Sequence, residues 1–204
     1  MVQVGAVQGS VSTGNVVLMS SAWLTRANAL TLLRLLATPL LVCAIVQDRA
    51  WIATTVYFGA VLSDFLDGWV ARRYAEASPL GGLVDHGVDA TFVVCGTAAL
   101  ATLDVVPVVL PCLIALAFIQ YALDSRLGAS HGDGLRASWL GRWNGISYYV
   151  IVAVPIVRDA LALGWPSDAT VMALGWVLVV STLVSVADRL RRSAASRRAP
   201  GSPA

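Results

Sequence analysis

Four aspartates stand at helical spacing within two apolar stretches of this chain. Asp64 and Asp67 are three residues apart in the first stretch, and Asp85 and Asp89 are four residues apart in the second. Residues at these spacings lie on one face of a helix, so each pair would point its carboxylates to one side. Two facing helices would then bring four negative charges together, where they would repel one another and take up protons. A divalent cation would relieve the repulsion, because Mg²⁺ and Mn²⁺ prefer carboxylate oxygens as ligands.

The composition predicts that these carboxylates belong to an integral membrane protein. Hydrophobic residues make up 57% of the 204 residues and charged residues 13%, and the mean hydropathy is +0.74. A soluble domain carries about 25% charged residues. Carboxylates at membrane depth are costly and usually mark a functional site. The net charge of +2 is too small to indicate a nucleic-acid partner.

Six apolar stretches predict an all-α, polytopic membrane protein with six transmembrane helices, since about 20 apolar residues cross a bilayer. The spans are expected at residues 29–46, 51–72, 80–103, 105–124, 143–163 and 169–188. Three regions follow from this division: a disordered leader over residues 1–27, a six-helix domain over 28–190 and a basic C-terminal tail over 191–204. Met19 is an alternative start, because all the organised sequence follows it. Three cysteines lie singly in apolar runs and are expected to be buried core side chains: Cys43, Cys95 and Cys112.

The distribution of arginines orients this bundle, because basic residues collect on the cytoplasmic side of a membrane. With a cytoplasmic N-terminus, that side holds most of the arginines, including those of residues 189–198, and the opposite side holds only Arg49 and Arg158. Both termini are therefore expected in the cytoplasm. The four aspartates then lie at the cytoplasmic ends of the second and third spans. Gly81-Gly82 and Gly87 are expected to allow close backbone approach where these two helices meet.

Residues next to the aspartates offer room and positive charge for a phosphorylated ligand. Arg72 lies one turn beyond Gly68 and can pair with phosphate. Gly68 and Gly81 leave space for a flat base and its pyrophosphate. Two divalent ions held by shared carboxylates would form a clamp for a phosphoryl-type transfer. In the simpler alternative, the carboxylates only hold the bundle together by pairing with the nearby arginines Arg34, Arg72 and Arg73.

The segment from Asp64 to Asp89 matches the pattern D-x-x-D-G-x-x-A-R, eight residues, G-x-x-x-D-x-x-x-D without a gap. This pattern resembles the signature of the CDP-alcohol phosphatidyltransferase family. It fixes eight positions over 26 residues and is far more specific than a short glycine motif. The first span adds Asn28-Ala-Leu-Thr31-Leu-Leu-Arg34 followed by Pro39, which is similar to the N-x-x-T-x-x-R…P stretch common in these enzymes.

The resemblance implies an enzyme that transfers a phosphatidyl group from a CDP-linked lipid, usually CDP-diacylglycerol, to an acceptor alcohol with release of CMP. It implies two Mg²⁺ or Mn²⁺ ions, with Asp89 as the general base toward the acceptor hydroxyl. The implied metal ligands are Asp64, Asp67, Asp85 and Asp89. The implied CDP-binding residues are Gly68, Ala71, Arg72 and Gly81. Asn28, Thr31 and Arg34 could also face the nucleotide; a helix cap plus an interfacial arginine is their alternative role.

The expected setting is the inner membrane of a cell, with the active site facing the cytoplasm, membrane lipids around the bundle and a homodimer as the family's usual assembly. Candidate acceptor-binding residues are Arg126, Arg136 and Arg142, which flank the loop before the fifth span. Gly141-Arg142 resembles the Gly-Lys of glycerophosphate- and cardiolipin-forming members, whereas Asn144-Gly145 departs from their usual continuation. Glycerol 3-phosphate is therefore one candidate acceptor. Inositol phosphate, serine and phosphatidylglycerol stay open, as does a simple inside-positive role for these arginines.

Two other classes of protein, a transporter and a scaffold, could also carry this acidic cluster. A divalent-cation transporter could use the same acidic cluster, but polar groups would be expected along a path through several spans. The fourth, fifth and sixth predicted spans carry almost none between their ends, and the chain has no evident internal repeat. A non-catalytic membrane scaffold would not need the complete eight-position pattern. Both observations favour the enzyme.

Overall fold

The computed structural model describes residues 26–74, 79–129 and 139–198, with side chains over 32–66, 85–123 and 140–191. These residues form six α-helices and no strand, which confirms the all-α class and the number of helices predicted. In chain order the helices are Arg26–Val46 (α1), Ala50–Tyr74 (α2), Pro79–Thr102 (α3), Val109–Ala129 (α4), Trp139–Ala160 (α5) and Asp168–Arg198 (α6). Most of the predicted leader, residues 1–25, lies outside the described residues.

The helices differ most from the predicted spans at the end of α6 and at the end of α4, which lies at Ala129 rather than at residue 124, and the start of α4 differs as well. Asp104 has a positive φ of 55°, a conformation that ends helices, and the chain then passes through Pro107 before α4 begins at Val109 rather than at residue 105. Helix α6 continues to Arg198, well past the predicted end at residue 188 and into the predicted tail. The extension is rich in arginine and alanine, both good helix formers, and contains no glycine or proline.

Helix α3 lies inside the bundle. It packs against α1, α4 and α5, while α1 also packs against α2 and α6 packs against α4 and α5. Phe92 of α3 is buried together with Leu41 of α1, Ile114 of α4 and Val152 of α5. The part of α3 whose side chains are described, residues 85–102, exposes no large hydrophobic residue, unlike the corresponding parts of the other five helices. The second half of the acidic motif is therefore carried by the innermost helix.

The outer surface of the bundle is apolar. Leu36, Phe58 and Val180 are among many large hydrophobic residues whose side chains are more than half exposed. A soluble monomer rarely exposes apolar patches larger than a few hundred Å², so this surface fits a lipid environment. Cys43 and Cys112 also lie on the exposed surface, so the prediction that they are core residues is wrong. Their small, weakly polar side chains are compatible with an apolar surrounding.

One helix in the described residues, over Asp168–Arg191, is long and apolar enough to cross a membrane, with a mean hydropathy of 2.1. Leu32–Val46, Ala50–Leu66 and Val109–Leu123 are apolar but shorter. The six membrane spans, the cytoplasmic location of both termini and the homodimer therefore stay predictions.

Side-chain hydrogen bonds tie α5 to its neighbours on two sides. The Tyr57 hydroxyl of α2 donates to the backbone carbonyl of Tyr149 at 2.8 Å. The Ser181 hydroxyl of α6 donates to Asn144 Oδ1 at 2.6 Å. Such contacts between helices are typical of bundles in lipid, where the loss of a polar partner is not compensated by water. They hold α5 against the two helices that flank it.

Gly175 of α6 packs directly against the connection between α3 and α4. A Cβ atom built on Gly175 would lie 2.4 Å from Cδ and 3.2 Å from Cγ of Pro107. The proline ring is rigid, so one of the two backbones would have to move. The absence of a side chain at residue 175 therefore allows α6 to approach this connection closely.

We expect Gly175→Ala to lower the midpoint of thermal unfolding in detergent. Overpacking a well-packed site costs about 1–3 kcal/mol, which outweighs the gain of up to about 1 kcal/mol when alanine replaces a glycine inside a helix. Gly59→Ala is the matched control, because a Cβ atom at residue 59 meets nothing within 4 Å. Only the stability gained from the helix preference of alanine should act there. A Gly175→Ala protein that melts at or above the temperature of Gly59→Ala would contradict the close contact.

Candidate active site

Three of the four motif aspartates meet at one end of the bundle. Asp64 comes from the second half of α2, and Asp85 and Asp89 come from the first half of α3. Each offers one carboxylate oxygen, and these three oxygens lie within 4.8 Å of one another. The side chains of Asp64, Asp85 and Asp89 are 41%, 31% and 19% exposed. The group is thus open on the Asp64 side and closes toward Asp89.

The guanidinium of Arg34, from α1, lies in the middle of this group. Its Nη2 atom is 3.0 Å from Asp64 Oδ1, and its Nη1 atom is 3.2 Å from Asp85 Oδ1 and also contacts Asp89 Oδ1. The side chain is only 1% exposed. One buried cation therefore contacts all three carboxylates, and part of the simpler alternative, in which the aspartates pair with nearby arginines, is realised through Arg34.

The position of Arg34 follows from the periodicity of α1. Arg34, Thr38, Leu41 and Ile45 are buried at intervals of four, three and four residues, which is the inward face of a helix. The leucines between them face outward. Helix α1 packs against both α2 and α3, whereas α2 and α3 are not among the closely packed helix pairs of the described residues. The two halves of the motif are therefore joined through α1.

This arrangement corrects the expected close approach of α2 and α3 at Gly87. A Cβ atom built on Gly87 would meet nothing within 4 Å, and the residue is exposed. Gly87 therefore makes no tight helix contact. The convergence of Asp64 with Asp85 and Asp89 instead depends on Arg34, whose long side chain reaches both helices.

The donor set fits a divalent cation. Three carboxylates and one guanidinium leave two negative charges unbalanced when all four groups are ionised. Carboxylate oxygens are the hard ligands that Mg²⁺ and Mn²⁺ prefer, and those of Asp64, Asp85 and Asp89 come close enough to share one ion after small adjustments. Asp67 lies one turn along α2 from Asp64.

The remaining predicted residues are described to different extents. Asp67 and the predicted CDP-binding residues lie in helical backbone, but their side chains are outside the described residues: Gly68, Ala71 and Arg72 in α2, Gly81 in α3, and Asn28 and Thr31 in α1. Arg126 lies in α4, and its side chain is likewise outside the described residues. Arg136 is outside the described residues altogether. Arg142 is exposed in the first turn of α5. Asn144, which marked a departure from the family pattern, is buried and bonded to Ser181.

Comparison with known proteins settles the family. The model of the CDP-alcohol phosphatidyltransferase family matches residues 24–184, most of the chain. The chain belongs to the CDP-alcohol phosphatidyltransferase family. The matched residues include Arg34 and the complete Asp64–Asp89 motif, so the site lies within the region that defines these phosphatidyltransferases.

Several curated proteins are similar to this chain. CDP-diacylglycerol–glycerol-3-phosphate 3-phosphatidyltransferase 2 of Arabidopsis thaliana is 34% identical over 95 residues, which cover 45% of this chain and 41% of the relative. The "Probable phosphatidylglycerophosphate synthase" of Mycobacterium tuberculosis is 28% identical over 173 residues, covering 82% and 80%. An archaetidylinositol phosphate synthase of Aeropyrum pernix is 30% identical over 139 residues, covering 65% and 68%.

Some curated relatives are longer than this chain. The chain spans less than half the length of three relatives that it matches, 15%, 41% and 25% of each. No solved structure matches the chain.

A second group of side chains, not predicted to meet, lies beside the acidic site. His86 of α3 stacks on Tyr121 of α4, with ring centroids 5.8 Å apart and an angle of 12° between the planes. The guanidinium carbon of Arg189, from α6, is 5.5 Å from the centroid of the same ring. The stack makes His86 a contact between α3 and α4. Arg189 lies beyond the residues matched by the family model, so neither the motif nor its spacing indicated it.

Proposed function

We propose that this protein is a membrane enzyme that transfers a phosphatidyl group from a CDP-linked lipid to an acceptor alcohol and releases CMP, as a step in phospholipid synthesis. The observation that carries the proposal is the meeting of Asp64, Asp85 and Asp89 within 4.8 Å, inside the segment matched by the family model. In a chain with an apolar surface, three carboxylates at one point are too costly to be explained by packing alone.

We infer that Asp64, Asp67 and Asp85 hold two Mg²⁺ or Mn²⁺ ions, with Asp89 at the edge of the same site. The carboxylate donors and their unbalanced negative charge support this assignment. Bound ions would stabilise the negative charge of the pyrophosphate and of the departing CMP.

Asp89 is the proposed general base. It is the most buried of the three described carboxylates, at 19% exposure. Its carboxylate would take the proton of the acceptor hydroxyl. The acceptor oxygen then forms a bond to the phosphorus of the phosphatidyl group, while the bond from that phosphorus to the oxygen of CMP breaks. The general-base role and the metal-ligand role of Asp89 are compatible, because a carboxylate has two oxygens.

The expected location is the inner membrane, with the site toward the cytoplasm. Two features support a membrane location: the apolar outer surface, and the helix over Asp168–Arg191 that is long and apolar enough to cross a bilayer. The cytoplasmic side is inferred from the distribution of the arginines. A lipid donor could reach the carboxylates from within the membrane. A water-soluble acceptor could reach them from the side on which Asp64 is exposed.

Glycerol 3-phosphate is the proposed acceptor. The names of the Arabidopsis and Mycobacterium relatives support it, as does exposed Arg142, whose guanidinium could pair with a phosphate. The name of the Aeropyrum relative supports inositol phosphate as the second acceptor to test. Both acceptors carry a phosphate, so the choice between them depends on protein groups that contact the glycerol or the inositol part of the acceptor.

Purified protein in detergent is expected to release CMP from CDP-diacylglycerol when Mg²⁺ or Mn²⁺ and glycerol 3-phosphate are present. Inositol phosphate, serine and phosphatidylglycerol in parallel reactions identify the acceptor by comparison. Removal of divalent ions with a chelator should abolish release, and restoring Mn²⁺ should recover it. The reason is that the aspartates are themselves negative, so the bound cations must stabilise the charge of the pyrophosphate. Full activity without metal would refute the metal assignment.

Asp89→Asn is expected to lower the turnover number by about 10²–10⁴-fold, the usual contribution of a general base. The amide keeps the shape of the side chain but cannot take the acceptor proton, so binding of CDP-diacylglycerol, measured by calorimetry, should change little. Asp159→Asn is the matched control, because Asp159 lies at the C-terminal end of α5, where it pairs with Arg158, and is not part of the acidic group. Near-normal CMP release by Asp89→Asn would contradict the assignment of the base.

Arg142→Ala is expected to raise the KM for glycerol 3-phosphate by about tenfold or more, the usual loss when a hydrogen bond to a charged group is removed. The KM for CDP-diacylglycerol should stay the same. Arg49→Ala removes another exposed arginine, in the connection between α1 and α2, and should change neither KM. An unchanged KM for the acceptor in Arg142→Ala would remove this arginine from the acceptor site.

A further inference from the structure

Arg34 occupies the place where a cation shared by the α3 carboxylates would bind. Its Nη1 atom contacts both Asp85 Oδ1 and Asp89 Oδ1, and its Nη2 atom contacts Asp64 Oδ1. The guanidinium is buried, so water does not screen these contacts as it would at the surface. In this arrangement the arginine is the cation that balances part of the charge of the three aspartates.

A divalent ion and Arg34 Nη1 compete for the same oxygen atoms. Mg²⁺ binds carboxylate oxygens at about 2.0–2.1 Å, whereas Arg34 Nη1 contacts these oxygens through its hydrogen atoms. Two positive groups within a few ångström of each other also repel strongly away from bulk water. The ion and Arg34 Nη1 therefore cannot both hold Asp85 Oδ1 and Asp89 Oδ1 in the geometry observed.

We propose that Arg34 is an exchangeable counter-ion, which holds the three carboxylates together when no metal is bound and withdraws Nη1 from Asp85 and Asp89 when a divalent ion enters. This inference rests on the metal site of the proposed function. Repulsion among the aspartates would otherwise push α2 away from α3, because these helices are joined mainly through α1. Arg34 thus keeps the site assembled and ready to bind an ion.

The exchange couples metal loading to the binding of the anionic donor. Once Nη1 leaves Asp85 and Asp89, its hydrogen atoms become available to a phosphate oxygen, for which a guanidinium is well suited. Contact of Nη2 with Asp64 keeps the side chain at the site. Because coupling between two ligands is reciprocal, the CDP-lipid should bind more tightly to metal-loaded protein, and the metal more tightly to protein that holds the CDP-lipid.

The test measures Mn²⁺ binding to purified, metal-free protein by electron paramagnetic resonance, without any assay of activity. Arg34→Gln is expected to lower the Kd for Mn²⁺ by about tenfold or more, since it removes a positive charge next to the ion. In chelator the variant should melt below the wild type, because the aspartates lose their counter-ion. Added Mn²⁺ should then raise its melting temperature by more than it raises that of the wild type.

Arg158→Gln is the matched control. Arg158 also contacts two aspartates, Asp159 at 2.7 Å and Asp168 at 2.6 Å, but at the far ends of α5 and α6. Its loss is expected to lower the melting temperature, whereas the Kd for Mn²⁺ and the rise in melting temperature on adding Mn²⁺ should match those of the wild type. A general effect of removing an ion pair is thereby separated from an effect at the site.

An unchanged or higher Kd for Mn²⁺ in Arg34→Gln would overturn the exchange, because Arg34 would then position the carboxylates for the ion instead of competing with it. If Arg34→Gln does not fold, Arg34→Lys keeps the charge but has a single nitrogen, which cannot contact all three aspartates in the way the fork of arginine does. A lower Kd for Mn²⁺ supports the exchange in that variant too, and an unchanged or higher Kd overturns it. Wild-type protein that binds no Mn²⁺ would overturn the metal site of the proposed function as well.

Discussion

The repulsion among three carboxylates is the constraint on which the rest of this structure depends. Asp64, Asp85 and Asp89 lie within 4.8 Å of one another in a bundle whose outer surface is apolar. Like charges at that distance, with little water between them, would separate the helices that carry them or take up protons. The buried guanidinium of Arg34 opposes both outcomes by contacting all three carboxylates. The negative charge that remains is what suits the site to divalent ions.

The packing of the helices brings these charged groups together. Helix α3 lies inside the bundle, so Asp85 and Asp89 point into a protein environment rather than toward lipid. Helix α1 packs against both α2 and α3 and inserts Arg34 between them. Contacts of α5 with α2 and α6 complete the bundle through hydrogen bonds between helices.

Much of the fold could be predicted because hydropathy is a local property of the chain. Each of the six apolar stretches corresponds to a helix, and most boundaries agree within a few residues. The start of α4 was misplaced because residues 105–107 are as apolar as a helix but form a turn after Asp104. The end of α6 was misplaced because the predicted span ended where the hydropathy fell, although arginine and alanine continue a helix well. Cys43 and Cys112 were misplaced because the outer surface of this bundle is itself apolar, so the apolar character of a side chain does not predict its burial.

The sequence by itself determined the family, the six helices and the pairing of aspartates on helix faces, since spacing along a helix decides which side chains share a face. It also supplied the candidates Arg34, Arg72 and Arg73 as partners for those aspartates. Only the tertiary structure decided that Arg34 is the arginine that contacts three carboxylates, and that α1 rather than a direct contact joins α2 to α3. The physical reason is that charge compensation acts through space, between residues 30 to 55 positions apart, and depends on how three helices pack.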